Sequence, residues 1–188
     1  MQTDKRSERN RLLQQRQALD PAMASQWADA IAVHLDRVLT EMAALRVSVY
    51  MPIRAEPDLT CHYPNYAEKR ALALPQCDEN GRLQFMSWQP GQRLVAGRYG
   101  IEVPERAVPV MPDAIVVPCV GFNCLAYRIG YGGGWFDRTL PELPDSVRVI
   151  GVAYAFAQTD GFDPEPHDRP LHCVVTEQGV LLPGSSPM

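Results

Sequence analysis

The eleven residues Arg128-Ile129-Gly130-Tyr131-Gly132-Gly133-Gly134-Trp135-Phe136-Asp137-Arg138 concentrate the chemistry of the chain. Four glycines fall within five residues, and an arginine stands at each end. Glycine permits positive φ and lets backbone N–H groups approach a ligand closely. A glycine turn that leads from a strand into a helix is a ready anion site. Arg128 and Arg138 add positive charge suited to phosphate, and Asp137 offers the hard oxygen that Mg2+ prefers. Taken alone, the glycines also fit a tight structural turn; the arginines and the aspartate beside them point to a nucleotide phosphate site. Two familiar phosphate motifs are excluded. No Lys-Ser or Lys-Thr follows the glycines, and Trp135 stands where a dinucleotide fingerprint needs glycine.

Three further patches lie far off in sequence. Lys5 and Arg9 are four apart and share one helix face, which reads either as a solvated basic face or as a second phosphate contact. Met51 and Glu56 lie where the chain leaves its first strand. Glu56 is either a turn former or an acceptor for two N–H donors of a planar ring. Asp168 follows His167 in a proline-rich loop, with His172 just beyond; there is no three-histidine metal pattern. Trp135, Phe136, Tyr154 and Phe156 have the planar faces to stack a ring, although aromatics at strand ends more commonly serve the core.

The segment from Pro118 to Arg138 resembles the signature of the 5-formyltetrahydrofolate cyclo-ligase family, Phe-Asp-x-x-Gly-x-Arg-Leu-Gly-x-Gly-x-Gly-Tyr-Tyr-Asp-Arg after a strand ending in proline. The resemblance extends over about residues 4 to 180. Lys5-Arg6-Ser7-Glu8-Arg9 is similar to the family's Lys-x-x-Leu-Arg, Tyr50 to Glu56 to its Tyr-x-Pro-x-x-x-Glu, and His167 to Glu177 to its C-terminal His-Asp segment. The chain departs from the pattern at Glu8, Asn123, Ala126 and His172, where the family carries an apolar residue, Asp, Gly and Asp. Gln158 also falls where the family has a glutamine.

This resemblance implies ATP-dependent conversion of 5-formyltetrahydrofolate to 5,10-methenyltetrahydrofolate with release of ADP and phosphate. It implies ATP contacts from Lys5, Arg9, Arg128, Gly130, Tyr131, Gly132, Gly133, Gly134, Trp135 and Phe136. It assigns folate contacts to Met51 and Glu56, Mg2+ to Asp137 and Asp168, and catalytic roles to Arg128 and Tyr131. The reaction needs no protein nucleophile, in agreement with the absence of a Ser-His or Cys-His motif. The implied fold is a three-layer α/β domain with a mostly parallel central sheet, like that of the sugar-phosphate isomerase and CoA-transferase group. A folate- or nucleotide-binding paralogue of weak activity, suggested by the four departures, and a sugar-phosphate isomerase on the same fold are the alternatives.

The elements that must position these residues follow from periodicity. Residues 4 to 19 form a polar amphipathic helix. Asp20-Pro21 reads as N-cap and first position of a second helix to about Thr40, with Met23, Trp27, Ile31, Leu35 and Leu39 four apart on its core face. Strands are expected at 46–51, 71–74 (stopped by Pro75), 83–88, 114–122, 147–154, 172–176 and 180–182, with helices at 59–68 and 133–140. Residues 89 to 112 read mostly as loop. Alternating strands and helices argue for a parallel-rich α/β domain spanning 1–188.

Composition sets outer bounds. The 188 residues carry a net charge of −4, so a general nucleic-acid footprint is absent. Positive charge gathers near the N-terminus at Lys5, Arg6, Arg9, Arg11 and Arg16. Five cysteines with no Cys-x-x-Cys pair read as free, inert thiols. There is no apolar leader and no run of the ~18 apolar residues a membrane span needs, so the expected setting is the reducing cytoplasm and the expected partners are a reduced folate and ATP.

Overall fold

The computed structural model describes residues 4–165 and 168–184. Helix α1 (Lys5–Gln17) starts at Asp4, whose carboxylate accepts from Arg6 N. Helix α2 (Pro21–Glu41) starts as its Asp20-Pro21 signal dictates, with Asp20 accepting from the N–H groups of Ala22 and Met23. Ile31, Leu35 and Leu39 are fully buried, whereas Met23 at the same spacing, in the first turn of α2, is exposed. Among the described residues no helix is long and apolar enough to cross a membrane.

A seven-stranded sheet forms the centre. Its strands are β1 (Arg46–Ser48), β2 (Ala71–Cys77), β3 (Leu83–Trp88), β6 (Ala114–Pro118), β9 (Arg148–Val152), β10 (Cys173–Thr176) and β11 (Gly179–Leu181). The order across the sheet is β11-β10-β9-β6-β1-β2-β3. The inner strands run parallel, and β3 and β11 are antiparallel to their neighbours. Burial on both faces explains the near-continuous apolar run of β6. Alternate residues split between two cores. Val116 joins Val47, Val49, the apolar face of α2 and the tyrosines of α3 (Tyr63–Ala67), while Ile115 and Val117 join Leu12 of α1 and Leu140 beyond α4 (Trp135–Thr139). The result is the three-layer, mostly parallel architecture expected from the sequence.

Several boundaries differ from expectation for identifiable reasons. β2 runs through Pro75 because β1 pairs only with residues 71–73, so Pro75 needs no N–H on that side. The apolar run 114–122 is two strands: β6 ends at Pro118, and β7 (Gly121–Phe122) pairs with β8 (Arg128–Ile129) in a separate hairpin. Residues 94–104, expected as loop, fold into a hairpin of β4 (Leu94–Ala96) and β5 (Glu102–Pro104). α4 is a five-residue turn of helix rather than 133–140, since Pro141 follows and a 3-10 turn takes over at Leu140–Glu142. The five cysteines are all free; burial pushes the thiols of Cys119 and Cys173 up to about 12.

Candidate functional site

A cleft of about 820 Å³ opens at the C-terminal ends of β1, β2 and β6, where strand order reverses and open α/β sheets bind ligands. Every residue to which the family resemblance assigned an ATP, folate, metal or catalytic role lines it: Lys5, Arg9, Met51, Glu56, Arg128, Gly130, Tyr131, Gly132, Gly133, Gly134, Trp135, Phe136, Asp137 and Asp168. Four segments separated by up to 163 residues thus converge on one cavity.

One end is cationic. Gly132 and Gly134 take φ of +90° and +67°, conformations that let the loop curl under α1 without steric cost. Arg9 donates from Nε to Gly130 O at 2.6 Å, and a side chain at Gly132 would meet its guanidinium at 3.5 Å. Lys5 donates to Asp168 Oδ2 at 2.8 Å; Glu165 N reaches the same oxygen at 2.8 Å. Arg128, buried in β8, donates to Asp137 Oδ1 and, at 3.2 Å, to Arg169 O. The Trp135 indole lies against the backbone at Gly133. Arg138 does not join this end. It bridges the carbonyls of Gly81 and Gly133 at 2.9 and 2.8 Å and does not line the cleft.

Asp137 and Asp168 supply two carboxylates to the cleft, each already facing a cation. Two carboxylates do not make an all-protein cage. They fit a Mg2+ ion that keeps waters and takes phosphate oxygens as its other ligands. Among the described residues, three or more potential metal ligands gather at Asp29, Cys61 and His62, none of which lines the cleft.

The other end is built on the loop after β1. Glu56 is 4% exposed. Its carboxylate accepts from Ile53 N at 2.9 Å and from the Tyr131 hydroxyl at 2.8 Å. Burial raises its pKa, and Arg16 and Arg54 act in the opposite sense. Each oxygen keeps a lone pair for a ligand N–H. Tyr131 receives a hydrogen bond from Arg16 Nη2, and both the Arg16 and Arg54 guanidinium groups lie within 6 Å of its ring, at 5.6 and 5.3 Å. Desolvation holds its phenol far above the usual range, so it is a neutral donor to Glu56. The strain of this loop is visible at Arg54 and Ala55, both with positive φ.

The departures from the family pattern fall outside the cleft. Glu8 turns away from it, accepting from Arg11 at 3.0 and 2.5 Å and from the Thr159 hydroxyl at 2.6 Å, so its charge is neutralised and anchors α1. Asn123 Oδ1 accepts from the N–H groups of Leu125 and Tyr127. Ala126 is fully buried with φ of +59°, a left-handed conformation that favours the family's glycine, so the alanine here carries backbone strain. His172 Nδ1 accepts from Val149 N at 2.8 Å, a structural bond. Gln158 bridges Phe122, while Tyr154 and Phe156 stack at 5.6 Å beside Trp27 in the core; none of the three lines the cleft. His167 and Pro166 lie outside the described residues.

Sequence reasoning passed over Arg16, counting it only among the basic residues. Its signal was present: Lys5, Arg9 and Arg16 stand four and seven apart, one stripe of a 3.6-residue helix. Arg98, Ile101, Glu102 and Val103 of the β4–β5 hairpin also line the cleft and were hidden in an expected loop.

A model described as the 5-formyltetrahydrofolate cyclo-ligase family matches residues 1–177. A 5-formyltetrahydrofolate cyclo-ligase of Mycolicibacterium smegmatis is 27% identical over 187 residues, spanning 92% of this chain and 94% of the relative. One from Escherichia coli K12 is 28% identical, spanning 89% and 97%. The NMR structure of a 5,10-methenyltetrahydrofolate synthetase from Aquifex aeolicus superposes with a TM-score of 0.84 at 27% identity over 98% of this chain and 95% of that one. A synthetase from Mycoplasma pneumoniae, 24% identical, shares the fold with a TM-score of 0.78.

Proposed function

The chain belongs to the 5-formyltetrahydrofolate cyclo-ligase family, and from that premise we propose how its cleft performs the reaction. The protein is an ATP-dependent ligase that converts 5-formyltetrahydrofolate to 5,10-methenyltetrahydrofolate with release of ADP and phosphate. The formamide carbonyl is a poor electrophile and its oxygen a poor leaving group. Attack of that oxygen on the γ-phosphorus releases ADP and turns the oxygen into a phosphate ester. N10 then attacks the formyl carbon and closes the ring, phosphate departs with the C–O bonding electrons, and the N10 proton leaves with the phosphate or to water.

Such chemistry asks the protein for alignment and charge, not for a nucleophile. The cationic end takes the triphosphate: the glycine-loop N–H groups, Lys5, Arg9 and Arg128 face oxygens whose charge shifts as the γ-phosphoryl moves. Arg128 is the catalytic cation of this set. Asp137 and Asp168 would hold Mg2+, which when bound would neutralise phosphate charge. Lys5 is oriented by Asp168 and Arg128 by Asp137, so neither cation has to find its position when nucleotide enters. Glu56 and Met51 seat the pterin, with the Glu56 carboxylate accepting two ring N–H groups. Tyr131 touches both ends and closes the space where formyl oxygen and γ-phosphorus meet.

The observation that carries this division is the convergence of the glycine loop, the α1 cations and Glu56 on one cleft. The test mixes protein, ATP, Mg2+ and 5-formyltetrahydrofolate and follows absorbance of the methenyl product. ATP-dependent appearance of product is the expected result. Binding of both ligands without turnover would leave a binding paralogue instead.

A further inference from the structure

α1 carries three cations on one face, two of which line the cleft. Lys5 and Arg9 contact the C-terminal loop and the glycine loop. The third, Arg16, does not line the cleft. It is 3% exposed, and an arginine is buried so deeply only when its donors are engaged. Its three nitrogens point three ways. Nε donates to Arg54 O at 3.1 Å, Nη1 to Cys119 O at 3.5 Å, and Nη2 to the Tyr131 hydroxyl. Those partners belong to the loop after β1, the end of the β6 segment and the glycine loop. The Tyr131 hydroxyl passes the connection on by donating to Glu56 Oε1 at 2.8 Å.

We propose that Arg16 is a positioning residue for the reaction: acting through Tyr131, it locks the glycine loop that holds the phosphates to the loop that holds the folate. The inference rests on the cyclo-ligase reading of the cleft. Its physical basis is the planar guanidinium fork, which fixes three acceptors in one rigid geometry where a lysine ammonium offers only a point charge. A reaction that needs in-line approach of two bound substrates is sensitive to that geometry, and a shift of about 1 Å between them costs on the order of 100-fold in rate. Arg16 has a second consequence. Glu56 is faced by Arg16 from α1, by Arg54 from its own loop, by Tyr131 from the glycine loop, and by Tyr50, Tyr63 and Cys119 from the surrounding core. Arg16 is therefore one of two cations that favour the carboxylate form in a buried setting.

The experiment compares wild type, Arg16→Lys, Arg16→Gln, Tyr131→Phe and the Arg16→Lys/Tyr131→Phe double variant. Steady-state kinetics use ATP, Mg2+ and 5-formyltetrahydrofolate, with thermal unfolding recorded for each protein. Arg16→Lys is expected to lower kcat about 100-fold while each KM stays within threefold. The double variant is expected to be no slower than Arg16→Lys by more than threefold, because both changes break one linkage. Arg16→Gln is expected to move the acid limb of kcat/KM for the folate to higher pH, since loss of the cation favours protonated Glu56; Arg16→Lys keeps the charge and leaves the limb in place. A folded Arg16→Lys with wild-type kcat, or a double variant whose losses multiply, overturns the proposal. So does an acid limb that stays put in Arg16→Gln; if that variant does not fold, the lysine and double variants decide. A wild type without ATP-dependent turnover contradicts the cyclo-ligase reading itself, a result distinct from any pattern among the variants.

Discussion

Replacing Ala126 by glycine sets three local energies against one another. The residue holds φ of +59° in the turn between β7 and β8. A left-handed conformation costs an L-residue about 1–2 kcal/mol, and glycine removes that cost. Against this stand the fully buried methyl group, about 0.8 kcal/mol, and the extra freedom of glycine in the unfolded chain, about 0.5–1 kcal/mol. The two sides nearly cancel, so Ala126→Gly is expected to change stability by less than about 1 kcal/mol. Ala126→Val separates the terms: it keeps the strain, adds β-branching and forces two methyl groups into space with no exposure, for a loss of about 3 kcal/mol or more. Urea unfolding with matched m-values measures both. Stabilisation by glycine of more than about 2 kcal/mol would show that the buried methyl contributes nothing, and an equally large loss would show that the strain is not there. Because neither Asn123 nor Ala126 lines the cleft, the double variant Asn123→Asp/Ala126→Gly is expected to hold kcat/KM within threefold, about 0.7 kcal/mol. A hundredfold gain would refute this and mark the natural chain as a binding paralogue.

Asp137→Asn is expected to reduce turnover at least tenfold, chiefly at limiting Mg2+, because it removes a hard oxygen and loosens Arg128; undiminished activity there would remove Asp137 from the metal site. Arg128→Ala should raise KM for ATP more than KM for the folate, and Glu56→Gln the reverse, so parallel effects on both substrates would contradict the two-ended cleft. His172 must be unprotonated to accept from Val149 N, and burial, then Arg148, lower its pKa below the ordinary 6.5. A depressed histidine pKa means that the unfolded chain takes up the proton first. The stability is therefore present above about pH 6.5 and lost as pH falls through the folded value. Denaturant midpoints of wild type should drop over that window more steeply than those of His172→Asn, and parallel slopes would contradict it.

What was legible in the sequence was local. The Asp20-Pro21 start of α2 and the apolar run of β6 act through near neighbours; the first appears as read, and the second as a strand that stops at Pro118. The glycine loop was legible because positive φ at Gly132 and Gly134 demands that residue type. Direction was not legible. Arg128 and Arg138 look equivalent in the sequence, yet one is buried in the site and the other points out to Gly81, a difference set by the loop's three-dimensional path. Arg16 was hidden among the arginines and glutamines of α1, since its role depends on which polar side chain faces the sheet. The β4–β5 hairpin was missed because three-residue strands flanked by glycine carry too little periodicity to register.

The bond between Lys5 and Asp168 joins residues 163 apart. During synthesis, α1 leaves the ribosome well before the segment that anchors its leading cation. At typical elongation rates the interval is on the order of 10–30 s. Throughout that time no partial chain has a complete phosphate pocket, so a nascent protein has no means of binding nucleotide in the native way. Substrate becomes a ligand only of a chain that has been extended past Asp168. A protein cut at the Asn80–Gly81 turn would regain turnover only when its two pieces reassociate and bring α1 back against the Asp168 segment.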